Sequence, residues 1–149
     1  MKKLLIPFFV LMISLNISSQ NGRNGPSLWE EIRANSNLNY DNTKPQIIEA
    51  LKKYDSHQYL INRLSKNGQR YLFYTVSEAL KRNLPVELSL IPFIESQFDP
   101  YAQSSTGASG IWQFIPSTAK ENGLKKNWWY DARRDIVAST DAAYNFLIK

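Results

Sequence analysis

The chain has 149 residues, of which 43% are hydrophobic and 21% are charged, so its composition is that of one modest globular domain and excludes a wholly disordered chain. It contains no cysteine, which excludes a disulfide framework, a cysteine nucleophile, a thiolate metal site and a lipidated N-terminal cysteine. The formal net charge of +5 favours an anionic polymer weakly, and the absence of a basic stripe argues against nucleic acid.

Residues 1–20 predict a secretory signal peptide. A pair of lysines follows the first residue, the stretch 4–17 is mostly apolar, and a serine pair at 18–19 lies near a plausible cleavage point. An uncleaved anchor is the alternative. Against it, the apolar run is shorter than the roughly 20 residues that a spanning helix needs, and Pro7 and Asn16 interrupt it.

The next segment, residues 21–44, is predicted to be flexible because it is polar and rich in turn-forming residues. It contains one short helix, predicted over Leu28 to Arg33 from the capping-box spacing of Ser27 and Glu30. A helical domain is then predicted over residues 45–149, since apolar residues recur at helical spacing and no stretch alternates as a strand does. The first predicted helix of this domain begins at Pro45, and the later ones cover 57–64, 69–82, 86–96, 116–122 and 132–149.

Several residues predict where these helices begin and end. Asn83 is predicted to stop one helix and Gly123 another, and Pro92 is expected to bend the helix 86–96. Asp131 is predicted to be the N-cap of the last helix. The buried stripe of that helix is predicted to be Ile136, Val137, Ala143, Tyr144, Leu147 and Ile148.

A candidate site lies between residues 84 and 124, where Glu95 ends an apolar helix. Phe98 and Trp112 are candidates to close over its carboxyl group. A carboxyl group buried against apolar side chains keeps its proton near neutral pH, because desolvation disfavours the charged form, and a general acid needs that property. The alternative is a solvated glutamate at a helix end.

The loop that follows Glu95 supplies groups that suit a sugar chain. Gly107 and Gly110 let the backbone approach a ligand closely, and Gln113 offers both a donor and an acceptor to hydroxyl and N-acetyl groups. Ser104 is either a turn residue or a substrate contact. The lone histidine, His57, has no second histidine with which to bind a metal, so no metal and no cofactor are expected.

The register of these residues, from Glu95-Ser96 through Ala102 and Ser104 to Gly107-Ala108, Gly110 and Gln113, resembles that of the lytic transglycosylases of glycoside hydrolase family 23. The segment 130–140 extends the similarity. The resemblance implies an all-α, lysozyme-like fold. It implies that Glu95 is the catalytic acid and that Ser96, Ser104, Gly110 and Gln113 contact the substrate.

The activity implied by this resemblance is cleavage of the MurNAc–GlcNAc bond of peptidoglycan, with formation of 1,6-anhydromuramic acid ends. One glutamate serves as acid and then as base, and no second acid matches a catalytic position, since Asp99, Asp131 and Asp135 are predicted to lie in turns or at helix starts. The expected partner is the glycan strand, in the periplasm or cell envelope, with peripheral association with the membrane or cell wall left open. A non-catalytic glycan-binding module and a goose-type-lysozyme-like hydrolase are the alternatives.

One motif departs from the family pattern. The family carries Ala-Tyr-Asn followed by Gly, which places a tyrosine beside the acid, whereas Ala143-Tyr144-Asn145 is followed by Phe146. Tyr144 is therefore predicted to lie on the helix that precedes the family's motif and to pack there. The domain is expected to be truncated at its C-terminus and weakly active when made alone.

Overall fold

The computed structural model describes residues 28–37, 45 and 68–148. The signal peptide predicted over 1–20, His57 and most of the two helices predicted between 45 and 64 lie outside the described residues. Within them, the chain forms α1 (Leu28–Ala34), α2 (Gln69–Lys81), a 3₁₀ helix (Val86–Leu90), α3 (Ile91–Ser96), α4 (Pro116–Glu121) and α5 (Ile136–Ile148). Extended pairing in this part of the chain is limited to isolated bridges, which confirms the all-α prediction.

Helix α2 ends where the sequence predicts. Asn83 adopts a left-handed backbone with φ 53°. Its N–H donates to the carbonyl of Leu80 at 3.1 Å, and the N–H of Leu84 donates to that of Ala79 at 2.9 Å. This pair of bonds is a Schellman motif, which satisfies the last carbonyls of the helix. Gly123 closes α4 with the same geometry, as predicted, with φ 77°.

The prediction of a single helix over 86–96 is wrong in one respect, because the structure divides this segment into the 3₁₀ helix and α3. Pro92 lies in the first turn of α3, where its missing N–H would have had no helical partner. The proline therefore begins a helix and does not bend one. After α3, Gln97 and Phe98 both have positive φ, at 55° and 59°, and the chain reverses so that Phe98 enters the core.

The predicted start of the last helix is also wrong. Helix α5 begins at Ile136, and its N-cap is Asp135, whose Oδ1 accepts the N–H groups of Val137 at 2.9 Å and Ala138 at 3.0 Å. The pKa of Asp135 is lowered, first by the hydrogen bond from Ala138. Asp131 is not the cap, because it lies five residues before the helix and its oxygens bind the backbone N–H and the side chain of Arg133.

Replacing Asp135 by alanine should lower the free energy of unfolding by about 1 kcal/mol, because two N–H groups lose their acceptor. Asp135→Asn is the matched control, since asparagine caps helices about as well as aspartate. Denaturant unfolding of the two variants measures the difference. Equal stability of the two variants would contradict the assignment of the cap.

The segment α1 and its flank pack against the domain. Trp29 and Ile32 are buried in the core, and the carboxylate of Glu87, itself buried, accepts hydrogen bonds from the hydroxyl of Ser36 and the N–H of Asn37. Part of residues 28–37 therefore packs against the domain. The short helix predicted there is confirmed.

The buried stripe predicted for α5 is only partly correct. Tyr144 is fully buried, its hydroxyl donates to the carbonyl of Thr75 at 2.7 Å, and its ring meets that of Trp112 edge-on at 5.3 Å. Burial raises the pKa of Tyr144 far above its ordinary value. This confirms that Tyr144 packs in the core. Ala143 is buried too, but Val137, Leu147 and Ile148 are exposed and Ile136 is half-buried.

In residues 28–37 and 68–148, none of the helices has the length and apolar character needed to cross a bilayer.

Candidate active site

Glu95 is the penultimate residue of α3, and its side chain is exposed. Within the described part of the chain it forms no hydrogen bond or ion pair. Phe98 and Trp112, which are 1% and 8% exposed, do not shield it, since Glu95 remains open to solvent. The expectation of an apolar cover is therefore wrong for Phe98 and Trp112. The carboxyl group is left open to a ligand.

Ser96 links the acid-bearing helix to the loop. Its hydroxyl lies 3.0 Å from the carbonyl oxygens of Pro92 and Ile111, and both can accept its proton. The first contact is within α3 and the second crosses to the loop. Ser96 thereby fixes the position of its neighbour Glu95 relative to residues 107–114.

Ser104 organises the small-residue turn. Its backbone N–H donates to the carbonyl of Ala108 at 2.9 Å, and its hydroxyl accepts the N–H of Ala108 at 3.0 Å. The same hydroxyl lies 2.9 Å from that of Thr106. The turn closes with a bond of 3.0 Å from the N–H of Gly107 to the carbonyl of Ser104. Ser104 is half-buried, so part of its surface remains accessible to a ligand.

Gly110 lies where the loop touches the segment before α5. Its φ is 81°, and a Cβ atom built there would lie 1.7 Å from the carbonyl oxygen of Arg133. No side chain fits in that space. Gly110 is therefore required by the packing of two backbones, in addition to any contact with a substrate.

The amide nitrogen of Gln113 is hydrogen-bonded within the loop. Its Nε2 donates to the carbonyls of Gly110 at 2.8 Å and Ala102 at 3.2 Å, and its backbone is left-handed with φ 51°. Within the described residues, its Oε1 accepts no hydrogen bond. The side chain can thus offer an acceptor to a ligand, whereas the predicted donor is already used.

The loop is held by a partly buried ion pair that the sequence did not predict. Arg133 is 4% exposed and donates from Nε and Nη2 to the two oxygens of Asp131 at 2.9 and 2.6 Å. Its Nη1 donates to the carbonyls of Gly107 at 2.8 Å and Phe114 at 3.2 Å. We call these four residues the arginine clamp. The hydrogen bond from Arg133 lowers the pKa of Asp131, and the hydrogen bond from Asp131 raises that of Arg133.

Asp131→Asn should lower the free energy of unfolding at neutral pH by about 3 kcal/mol, because it leaves a buried guanidinium without its counter-charge. The folded pKa of Asp131 lies below its unfolded value. Its stabilisation is therefore complete above about pH 4 and is lost as the pH falls through the folded pKa.

Denaturant unfolding at neutral pH and at successively lower pH should thus show the difference between Asp131→Asn and the unaltered chain becoming smaller. Lys126→Gln is the matched control, since Lys126 is exposed and lies 3.8 Å from Asp131. We expect it to change the free energy of unfolding by less than about 1 kcal/mol. A pH-independent difference for Asp131→Asn would contradict the assignment.

An apolar cavity of about 250 Å³ lies on the α5 side of the loop. Gln113 lines it together with Trp112, Ile115, Phe146 and Leu147, whereas Glu95 does not. Glu95 and Ser96 lie at the end of α3, Ser104, Gly110 and Gln113 lie on the loop that follows, and the hydroxyl of Ser96 links the two through the carbonyl of Ile111. The described structure does not gather them in this cavity.

Residues 74–149 match the transglycosylase SLT domain, and this half of the chain includes Glu95, the loop and the arginine clamp. The chain belongs to that family. It is 44% identical over 102 residues to the membrane-bound lytic murein transglycosylase D of Escherichia coli strain K12, covering 68% of this chain and 23% of the relative. The protein of the same name from Escherichia coli O6:H1 has the same identity to this chain and the same coverage.

A putative tributyltin chloride resistance protein of Alteromonas sp. strain M-1 is 48% identical over 83 residues, which cover 56% of this chain and 40% of that protein. The chain thus spans less than half the length of each of these relatives. Family membership confirms the resemblance given by the motif register and the lysozyme-like helical fold that it implies.

Proposed function

We propose that this chain is the catalytic portion of a peptidoglycan lytic transglycosylase. The observation that carries the proposal is the match to the transglycosylase SLT domain over residues 74–149, which includes Glu95. The names of the Escherichia coli relatives, lytic murein transglycosylases, support the same substrate and reaction for this chain. The substrate and the predicted signal peptide together favour the periplasm or cell envelope as its location.

In the proposed reaction, Glu95 donates its proton to the oxygen of the bond between MurNAc and GlcNAc as that bond breaks. The C6 hydroxyl of the same MurNAc then bonds to C1 and gives its proton to Glu95. The acid is thereby regenerated and water is not consumed. No metal or cofactor is needed for these steps. Because Glu95 is exposed, we expect the bound glycan itself to exclude water from the carboxyl group.

The remaining proposed site residues divide into two roles. Gln113 would accept a hydrogen bond from the glycan through Oε1, and Ser104 would contact it through its half-buried hydroxyl. Ser96 and Gly110 have mainly structural roles in this proposal. Ser96 binds α3 to the loop, and Gly110 lets the loop approach the backbone of Arg133. A Gln113→Ala variant should therefore weaken glycan binding more than Ser96→Ala does.

The second candidate function is a glycan-binding module that does not cleave, and the exposure of Glu95 is the observation that favours it. Incubating the chain with purified peptidoglycan and measuring the release of soluble muropeptides tests the two. The proposal predicts slow but steady release that grows with time. Retention of the chain on the insoluble polymer without any release would favour the binding module.

A further inference from the structure

The segment between α4 and α5 forms a small hairpin, residues 125–132, that we call the tryptophan hairpin. Lys126 and Asp131 form an antiparallel bridge, and the N–H of Ala132 donates to the carbonyl of Lys125 at 2.9 Å. The N–H of Asn127 donates to the carbonyl of Tyr130 at 2.8 Å. The two tryptophans, Trp128 and Trp129, are the tip of this turn.

The tip is held in one conformation by polar contacts. The Oδ1 of Asn127 accepts the N–H groups of Trp129 at 2.9 Å and of Tyr130 at 2.8 Å. The hydroxyl of Tyr130 donates to Asp135 at 3.0 Å, which ties the hairpin to the start of α5. The arginine clamp holds the base through Asp131. The hairpin thus presents its tip from a fixed support.

That tip is apolar and faces solvent. Trp128 and Trp129 are 88% and 90% exposed, and Tyr130 beside them is 43% exposed. Tryptophan is the residue that loses most from such exposure, because it carries the largest apolar surface. Hydrogen bonds that hold two indoles in a solvent-exposed position indicate that this surface binds a partner.

The charges beside the tip favour an anionic partner. Lys125 and Lys126 are exposed at the base of the hairpin, and Lys120 joins them on the wall of a neighbouring depression of about 650 Å³. Of the two acidic side chains in the hairpin region, Asp131 is paired with Arg133 and lies 3.8 Å from Lys126, and Asp135 caps α5, so three lysines and Arg133 face two carboxylates. The outward charge is therefore positive.

The geometry of the two indoles favours a lipid surface over a sugar chain. Their ring planes meet at 87° with centroids 6.4 Å apart, so they do not form a flat platform on which consecutive sugars could stack. Tryptophan and tyrosine prefer the boundary between headgroups and acyl chains, and lysines beside them attract anionic headgroups.

We propose that the tryptophan hairpin docks on the surface of a bilayer that contains anionic phospholipid, with Trp128 and Trp129 inserted at the level of the headgroups. Trp128 and Trp129 are not among the proposed site residues, and the inference does not rest on the proposed enzymatic function. It assigns the hairpin the task of orienting the domain on a membrane, whatever other segment holds the protein there.

Vesicles of phosphatidylglycerol and phosphatidylcholine, with and without brominated acyl chains, test the proposal through tryptophan emission. Bromine quenches only indoles that reach the bilayer, and Trp29 and Trp112 are buried in the core. The quenching therefore reports on the hairpin even if the apolar stretch 4–17 binds lipid by itself. We expect a blue shift and strong quenching in the full chain, and neither with vesicles of phosphatidylcholine alone.

Trp128→Ala/Trp129→Ala should abolish the quenching and weaken vesicle binding by at least about tenfold, since two interfacial anchors are lost. Lys125→Gln/Lys126→Gln should weaken binding about fivefold for each lysine. Phe73→Ala is the matched control, because Phe73 is an aromatic residue 61% exposed on α2, and it should behave as the unaltered chain does.

Unquenched emission in the full chain, or equal vesicle binding by the double tryptophan variant, would overturn the proposal. So would retention on insoluble peptidoglycan that depends on both tryptophans in the absence of quenching, which would make the hairpin a glycan contact. Loss of a dimer in the double variant, seen by sedimentation and without quenching in the full chain, would equally overturn it and assign the surface to self-association.

Discussion

Replacing Glu95 by glutamine should lower the release of muropeptides by about 10²–10⁴-fold, the usual cost of losing a general acid. The amide has nearly the same shape but cannot deliver a proton to the leaving oxygen. The fold should not change, because the side chain is exposed and makes no hydrogen bond or ion pair in the described part of the chain. Rates on one peptidoglycan preparation, with unfolding curves of both proteins, measure the two effects.

Glu121→Gln is the matched control for this experiment. Glu121 is also an exposed glutamate in the last turn of a short helix, α4, but the family register gives it no catalytic position. It should leave the rate within about twofold, as expected for a surface substitution away from a site. Equal losses in the two variants would show that the charge of an exposed glutamate, and not proton transfer by Glu95, limits the rate.

The largest effect on stability is expected for Gly110→Ala. The new Cβ atom would lie 1.7 Å from the carbonyl oxygen of Arg133, so one of the two backbones must move. Such a shift would also disturb the arginine clamp, since Arg133 binds the loop on both sides of Gly110. We expect the free energy of unfolding to fall by about 4 kcal/mol or more, in the range reserved for severe core changes.

Gly123→Ala is the matched control, because it measures the cost of a left-handed alanine without the steric clash expected at Gly110. Gly123 has nearly the same φ, 77° against 81°, but nothing lies within 4 Å of its would-be Cβ atom. Alanine there should cost only the left-handed penalty of about 1–2 kcal/mol. Denaturant unfolding of both variants gives the difference directly. Similar losses would mean that the contact between Gly110 and Arg133 relaxes without cost.

Helix ends in this chain are predictable where the deciding groups are neighbours in sequence. Asn83 and Gly123 stop α2 and α4 as expected, because a left-handed residue after a helix pairs with carbonyls of the same helix. The choice between Asp131 and Asp135 as cap could not be made locally. Both are good caps, and only the fold shows that Arg133 occupies the first.

The surroundings of the proposed acid were beyond sequence reasoning for the same reason. Apolar residues near Glu95 in sequence suggested a cover, but Phe98 turns into the core through two successive left-handed residues. In the sequence, the arginine clamp is indicated only weakly, by two arginines shortly after an aspartate. Its burial depends on carbonyls of Gly107 and Phe114, which lie 26 and 19 residues earlier in the chain.

The product formed at the cut end tests the central claim most directly. Peptidoglycan should be digested by the chain in water enriched in ¹⁸O, and the released muropeptides analysed by mass spectrometry. The proposed reaction predicts 1,6-anhydromuramic acid ends that carry no ¹⁸O, because the C6 hydroxyl replaces water as the attacking group. Reducing ends labelled with ¹⁸O would contradict the account and identify a hydrolase of the goose-type-lysozyme kind.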